Sequence, residues 1–382
     1  MIIGVVKETF PGERRVALVP EALPRLTEAG FEIQIEVGAG VAAGFSDEMY
    51  QERGAKLISE RADVINSVDA LLQVRGLGAN PEEGASDLEL FRKGQIVIGL
   101  LDPLSAPEVM EKAASRELTT FALELMPRIT RAQSMDVLSA MATIAGYKAV
   151  LLAAEALPKM FPMLMTAAGT VTPAHVFIVG VGVAGLQAIA TARRLGAVVQ
   201  AYDIRPAVKE QVQSVGAEFV ELEIDAESAE TKGGYAREMD EEFYRKQREM
   251  MSRVLAENHV VITTAAVPGK KAPTLVTSEM VEGMTPGSVI VDLAAERGGN
   301  CELTRPGETV VEHGVTIIGP VNIPSTVPYD ASRMFARNIS SFLLHVFKDG
   351  ESQFDPEDEI ARETIVTREG QILRPEVQQA LE

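Results

Sequence analysis

The chain has 382 residues, 46% of them hydrophobic, and its 36 Lys and Arg against 55 Asp and Glu leave a formal charge of −19. That length admits two domains with separate cores, and the charge argues against nucleic acid or an anionic membrane surface as a partner. The single cysteine, Cys301, excludes a disulfide framework within the chain and fits a reducing compartment.

The start, Met1-Ile-Ile-Gly-Val-Val-Lys-Glu, reads as a strand and lacks the basic region, apolar core and cleavage site of a signal peptide. Apolar runs at 2–6, 31–37, 70–74, 95–101 and 119–125 predict buried strands, with amphipathic helical spacing between them at 21–29 and 107–115. Alternation of this kind implies a parallel sheet with helices on both faces. Residues 136–157 predict a long helix crossing between domains. From His175 the scheme repeats, with strands expected near 176–180, 198–203, 218–222, 259–264, 288–293 and 315–319. A helix near 330–346 returns the chain to the first domain, and the acidic tail offers short edge strands at 365–366 and 372–373. The fold class is therefore α/β, two Rossmann-like doubly wound domains with a cleft between them. The first domain spans 1–135 plus 330–382, the second 136–329.

Two stretches invite other readings. No charged residue lies between Lys159 and Arg193, a length that can span a bilayer. Pro162, Gly169, Pro173, Gly180, Gly182 and Gly185 break it into loop, strand and turn, so no transmembrane helix is expected. The acidic run 221–230 with Gly233-Gly234-Tyr235 is too long and polar for a tight connection. It reads either as a flap hinged at Gly233-Gly234, with Tyr235 covering a nucleotide, or as a solvated loop. Residues 237–257 follow as an amphipathic helix.

The strongest local signal is Val176-Phe-Ile-Val-Gly180-Val181-Gly182-Val183-Ala-Gly185, followed by Ala201-Tyr-Asp203. A β-branched run enters three glycines in dinucleotide-fingerprint spacing, a helix follows, and an acid closes the next strand roughly 20 residues on. Gly180 permits the turn, Gly182 admits a pyrophosphate, and Gly185 lets helix and strand pack closely. A carboxylate at Asp203 accepts hydrogen bonds from a ribose diol and repels a 2′-phosphate, favouring NAD over NADP. Arg205 is the counter-signal. It either accommodates a 2′-phosphate or pairs with Asp203 or Glu210. The four histidines have no Cys or His neighbour at metal-ligand spacing, so no metal site is expected.

Several motifs converge on one resemblance. Lys7-Glu-Thr-Phe-Pro-Gly-Glu-Arg-Arg15-Val-Ala-Leu-Val-Pro20 resembles the signature shared by alanine dehydrogenases and the NAD-binding subunit of proton-translocating transhydrogenases. Met126-Pro-Arg128-Ile-Thr-Arg-Ala-Gln133-Ser-Met-Asp136-Val-Leu-Ser139 is similar to the Arg-Gln-Asp loop of the transhydrogenase subunit. Gly233-Gly-Tyr-Ala, Ile262-Thr-Thr-Ala-Ala-Val-Pro-Gly-Lys270 and Asp292-Leu-Ala-Ala-Glu-Arg-Gly-Gly-Asn-Cys301 extend the likeness over nearly the whole chain.

The resemblance implies a homodimeric NAD(H)-binding component, peripheral on the inner face of the cytoplasmic membrane. It would dock on membrane transhydrogenase subunits, one of which holds NADP(H). Hydride would pass from NADH to NADP⁺ with Re/Si stereospecificity, coupled to proton translocation by those partners. Arg128 and Asp136 would orient the nicotinamide carboxamide and its ribose, and Gln133 would reach towards the partner's nucleotide. Ser139, Val181, Val183, Ile204, Gly234, Tyr235, Thr264, Ala265 and Ala266 would join the fingerprint glycines, Asp203 and Arg205 as cofactor contacts. Taken without the resemblance, Arg128 and Asp136 also fit a structural ion pair and Gln133 a surface amide.

An alanine dehydrogenase-like amino-acid dehydrogenase is the alternative, and chemistry separates the two. Reductive amination needs a cation for the substrate carboxylate and a proton donor titrating near neutrality. Where alanine dehydrogenases carry a lysine and a histidine, this chain has Arg75 and Asp102. Arg15 remains, either to bind a carboxylate or as a structural contact. Hydride transfer between two nicotinamides needs no general acid or base at the reacting carbon, only distance and orientation. An idle NADH sensor on the same fold is a third reading, against which the Arg-Gln-Asp loop argues.

Overall fold

The computed structural model describes residues 1–221, 241–266, 269, 271–348, 351–352, 355 and 357–381. The expected flap, with Gly234 and Tyr235, lies outside the described residues. The strands in chain order are β1 Ile2–Val5, β2 Glu32–Glu36, β3 Lys56–Ile58, β4 Ala70–Arg75, β5 Ile96–Leu100, β6 Thr119–Ala122, β7 Leu164–Thr166, β8 Gly169–Val171, β9 His175–Val179 and β10 Val198–Tyr202. There follow β11 Glu218–Phe219, β12 Val260–Thr263, β13 Val289–Asp292, β14 Thr309–Glu312, β15 Val315–Ile318, β16 Phe347–Lys348, β17 Glu351–Ser352, β18 Ile365–Arg368 and β19 Gln371–Ile372. Contacts divide the chain into two units, Met1–Met141 with Pro324–Glu382, and Ala142–Ile323.

In the first unit the sheet runs β19-β18-β6-β5-β4-β1-β2-β3. From β3 to β6 every pairing is parallel, and β18 and β19 close one edge antiparallel. Ile3, Val5, Leu71, Leu72, Val97 and Ile98 are fully buried, as uninterrupted apolar runs require when helices cover both faces. Helix Pro107–Ser115 shows how one face is covered. Proline opens it, and Met110, Ala113 and Ala114 recur at helical spacing to pack inward. Helix Pro328–Val346 belongs to this unit: Ser332 Oγ accepts the Val16 N–H at 3.0 Å, and Phe342 meets Phe121 edge-on at 5.4 Å. The run 119–125 is a strand only to Ala122. Leu123–Leu125 turns as a 3₁₀ segment because the Glu124 carboxylate swings back to accept the N–H groups of Leu101 and Asp102 at the end of β5.

The second unit orders its strands β11-β10-β9-β12-β13-β15-β14, all pairings parallel except β14 with β15. Both sheets thus contain the doubly wound order in which chain direction reverses beside the first strand, at β1/β4 and at β9/β12. Val176, Phe177 and Ile178 are fully buried between the two faces of the second sheet. Helix Val137–Ala156 contains the unit boundary; it alone among the described helices is long and apolar enough to cross a membrane. Its Ala149, Val150 and Ala153 are wholly buried in the second unit's core. β7 and β8 form an isolated hairpin around which Met160, Met163 and Met165 are exposed.

Candidate functional site

In open α/β sheets the ligand crevice lies at the carboxyl ends of the strands where direction reverses. In the second unit that point is the end of β9, flanked by β10 and β12, and the expected cofactor residues from Gly180 to Ala266 gather there. Gly180 leaves β9 at φ +91° with its N–H on the Tyr202 carbonyl at 2.9 Å. A Cβ on Gly180 would lie 2.7 Å from Thr264 Oγ1, and one on Gly185 would lie 2.0 Å from the Gly180 carbonyl oxygen. Both glycines are therefore demanded by the protein's own packing.

Gly182 differs. It caps helix Val183–Arg194 at φ −83°, ψ −163°, angles open to any residue, and a Cβ there meets nothing within 4 Å among the described residues. Neither backbone strain nor protein contact requires glycine at this position. The open space faces the first turn of a twelve-residue helix, where N–H groups and the dipole favour an anion. These residues fit a dinucleotide diphosphate.

Asp203, 8% exposed, follows β10 and takes part in this turn directly, since Oδ2 accepts the Val181 N–H at 2.7 Å. Arg205 pairs with the same carboxylate, through Nε to Oδ1 and Nη2 to Oδ2, both at 2.9 Å. The acid is thus placed for a ribose diol, and the arginine is its partner rather than that of Glu210. Ile204, half-buried, lies between them.

Beyond β12, the Thr264 N–H binds the Val179 carbonyl at 2.8 Å and Thr264 Oγ1 donates to the Gly180 carbonyl at 2.9 Å. The side chain of Asn300 clamps the next residue, accepting from Ala265 N–H at 3.0 Å and donating to its carbonyl at 2.8 Å. Asp292, fully buried, holds Asn300 in turn, with Oδ2 on the N–H groups of Asn300 and Cys301 and on Thr304 Oγ1. Asp292 and Asn300 are not among the site residues expected from sequence. The signal available was an acid ending a strand, followed by Gly298-Gly299-Asn300 with both glycines at positive φ.

The remaining expected residues belong to the loop after β6 in the first unit. Ala132 and Met135 anchor it by burial, and Asn338 Nδ2 donates to the Ser134 carbonyl at 2.9 Å. Gln133 stands exposed on this anchored loop, and Arg128 is exposed to a lesser degree. Asp136 caps helix Val137–Ala156, accepting the Ser139 N–H at 2.9 Å and the Ser139 hydroxyl at 2.5 Å.

The reversal point of the first unit is built from charges. Glu8, after β1, accepts the N–H groups of Val74 and Arg75 at 2.6 and 3.0 Å. Arg15, almost fully buried, grips Glu13 with Nε–Oε1 at 2.7 Å and Nη2–Oε2 at 2.6 Å. Arg75 lies 3.8 Å from the same carboxylate, with its guanidinium 4.3 Å from the Phe10 ring centre. Enclosure, then the Glu13 charge, push the Glu8 carboxyl up to about 8, and enclosure pushes Glu124 up to about 7. Asp102, in the left-handed region at φ +49°, stands where a dehydrogenase histidine is expected.

Comparison with known proteins agrees in both halves. Residues 4–145 match the family described as alanine dehydrogenase/PNT, N-terminal domain, and residues 149–375 match its C-terminal domain. The chain is 49% identical to the first of the separately encoded pieces of NAD(P) transhydrogenase subunit alpha from Rhodospirillum rubrum, over 378 residues and 98% of each chain. Alanine dehydrogenase 1 of Staphylococcus aureus is 28% identical over 382 residues, 97% of this chain and 94% of that one. The crystal structure of transhydrogenase from Sinorhizobium meliloti superposes with a TM-score of 0.84 at 41% identity, covering 98% of this chain and 99% of that one.

Proposed function

We propose, since this chain belongs to the alanine dehydrogenase/PNT family, that it is the NAD(H)-binding subunit of a proton-translocating NAD(P) transhydrogenase. It passes hydride from NADH to NADP⁺ held by a partner subunit. The observation that carries the nucleotide assignment is the turn at Gly182, where open space replaces any protein reason for a glycine.

NAD(H), when bound, supplies the hydride and the charge change that accompanies it. The chain's part is to bind and aim. The first turn of helix Val183–Arg194 presents N–H groups to the diphosphate, and Asp203 accepts the ribose diol. Val181, Val183, Ile204, Thr264, Ala265 and Ala266 line the same crevice, with the last loop held by Asn300. Arg128 and Asp136 orient the nicotinamide carboxamide and its ribose, with Ser139 beside them. Gln133 reaches towards the partner's nucleotide. No residue has to deliver or remove a proton at the reacting carbon, so positioning alone suffices.

The first unit supports this against the amino-acid dehydrogenase reading. Its Arg15 is committed to Glu13 in a buried pair, and an acid stands at position 102. Proton translocation and docking at the inner face of the cytoplasmic membrane are assigned to partner subunits. The exposed methionines about the β7–β8 hairpin support a homodimer, because clustered apolar side chains at a surface mark contact sites.

One assay tests the reading. The purified chain is given NADH with either pyruvate and ammonium, or an NADP⁺ analogue and membranes stripped of their peripheral subunit. Oxidation only in the second mixture is expected. Oxidation in the first, by the chain alone, would make it an amino-acid dehydrogenase.

A further inference from the structure

The ribose role proposed for Asp203 depends on a carboxylate whose acceptor positions are already filled. An ionised carboxylate offers about four such positions. Oδ1 accepts the Arg205 backbone N–H and Nε–H, each at 2.9 Å, and Oδ2 accepts the Val181 N–H at 2.7 Å and Arg205 Nη2 at 2.9 Å. Two of these four donors are backbone groups, held by the fingerprint turn and by the segment following β10. The other two belong to one long side chain that is 16% exposed and can swing outward. The same Nη2 also reaches the Val181 carbonyl, at a longer 3.3 Å.

A vicinal diol that donates both hydroxyls to Asp203 needs two acceptor positions, and only those of the guanidinium can be vacated without disturbing the backbone. We propose that Arg205 is a competitive mask on Asp203: its guanidinium fork and the adenosine ribose diol claim the same two acceptor positions, so every binding event breaks this ion pair. NAD(H) affinity is then a difference between two ways of satisfying one enclosed carboxylate. The arginine weakens binding and speeds release, which suits a subunit that must exchange NADH for NAD⁺ at each turnover. The inference rests on the ribose role of Asp203 proposed above.

The test is equilibrium titration of the full chain with NADH, 5′-AMP and 2′-deoxy-5′-AMP, at low and at 0.5 M salt so that loss of a cation near the phosphates is screened. Arg205→Gln leaves Asp203 with its two backbone donors and two open positions. NADH and AMP are expected to bind it about tenfold more tightly than wild type, the worth of one charge-assisted hydrogen bond. The deoxy nucleotide, lacking one hydroxyl, should gain little. Arg205→Lys keeps the charge without the fork and should show a smaller gain; it decides the matter if Arg205→Gln does not fold. Unchanged or weaker NADH binding at high salt, or an equal gain for the deoxy nucleotide, overturns the mask. If wild type binds neither NADH nor AMP, the nucleotide reading falls and the mask with it. Wild-type binding without the gain removes the mask alone.

Discussion

The two units carry the same strand order, and each turns its chain direction beside the first strand, yet the two reversal points are filled in opposite ways. In the second unit the point at β9 is made of glycine: Gly180 and Gly185 draw helix and strand together, and Gly182 leaves room outside. In the first unit the point at β1 is filled by Glu8, Glu13, Arg15 and Arg75, whose charges satisfy one another. A shared topology supplies a crevice. Whether it receives a ligand depends on whether side chains of the protein already occupy it.

The contrast can be broken most forcefully at Glu13. Glu13→Ala strands the buried Arg15 guanidinium and is expected to cost about 3–5 kcal/mol in the first unit. Urea unfolding checks the loss, and NADH affinity of the folded fraction should not move; a fall in affinity would mean that this cluster serves the nucleotide site. Next in size is Gly185→Ala, whose new Cβ is forced onto the Gly180 carbonyl oxygen. A loss of about 1–3 kcal/mol is expected, and NADH binding should be lost with it, because the turn must open. Gly182→Ala separates ligand from packing: thermal stability should stay within about 0.5 kcal/mol of wild type while NADH binding weakens by roughly tenfold. Equal affinity for NADH would remove Gly182 from the diphosphate role.

The smallest expected effect concerns pH. Glu8 holds its proton to about 8 in the fold but to about 4.5 unfolded, so the native state binds the extra proton between those values. Its contribution to stability is therefore complete below about pH 4.5 and is lost as the pH rises towards 8 and beyond. The melting temperature should decline across that window, and Glu8→Gln should flatten the decline. A slope unaltered by the substitution would locate the titration elsewhere, with Glu124 the next group to replace.

Much of this is legible in the sequence because it is local. The fingerprint residues specify their own turn within a few positions, and helix Pro107–Ser115 falls at the residues its spacing predicts. β3 escapes such reading: its three residues, all exposed or half-buried, carry no buried apolar run. So does β14, which alternates exposed with half-buried residues at an edge. The unit boundaries lie at 141/142 and 323/324 by contact, against 135/136 and 329/330 from sequence, one of them within a continuous helix where composition does not change.

What the sequence determined by itself was every feature that a single strand–turn–helix can enforce: the parallel α/β class, the glycine turn, and an acid ending the next strand. Tertiary structure decided the pairings between residues distant along the chain. Asn300 reaches Ala265 from 35 positions away, and Glu8 reaches Arg75 from 67. Even Asp203 and Arg205, two apart, became a bidentate pair only because the Val181 N–H, brought alongside by β9, fixes the carboxylate. Periodicity and turn chemistry are short-range and leave a mark in sequence. The partner of a buried polar group is chosen by which strands lie side by side, and no local pattern records that choice.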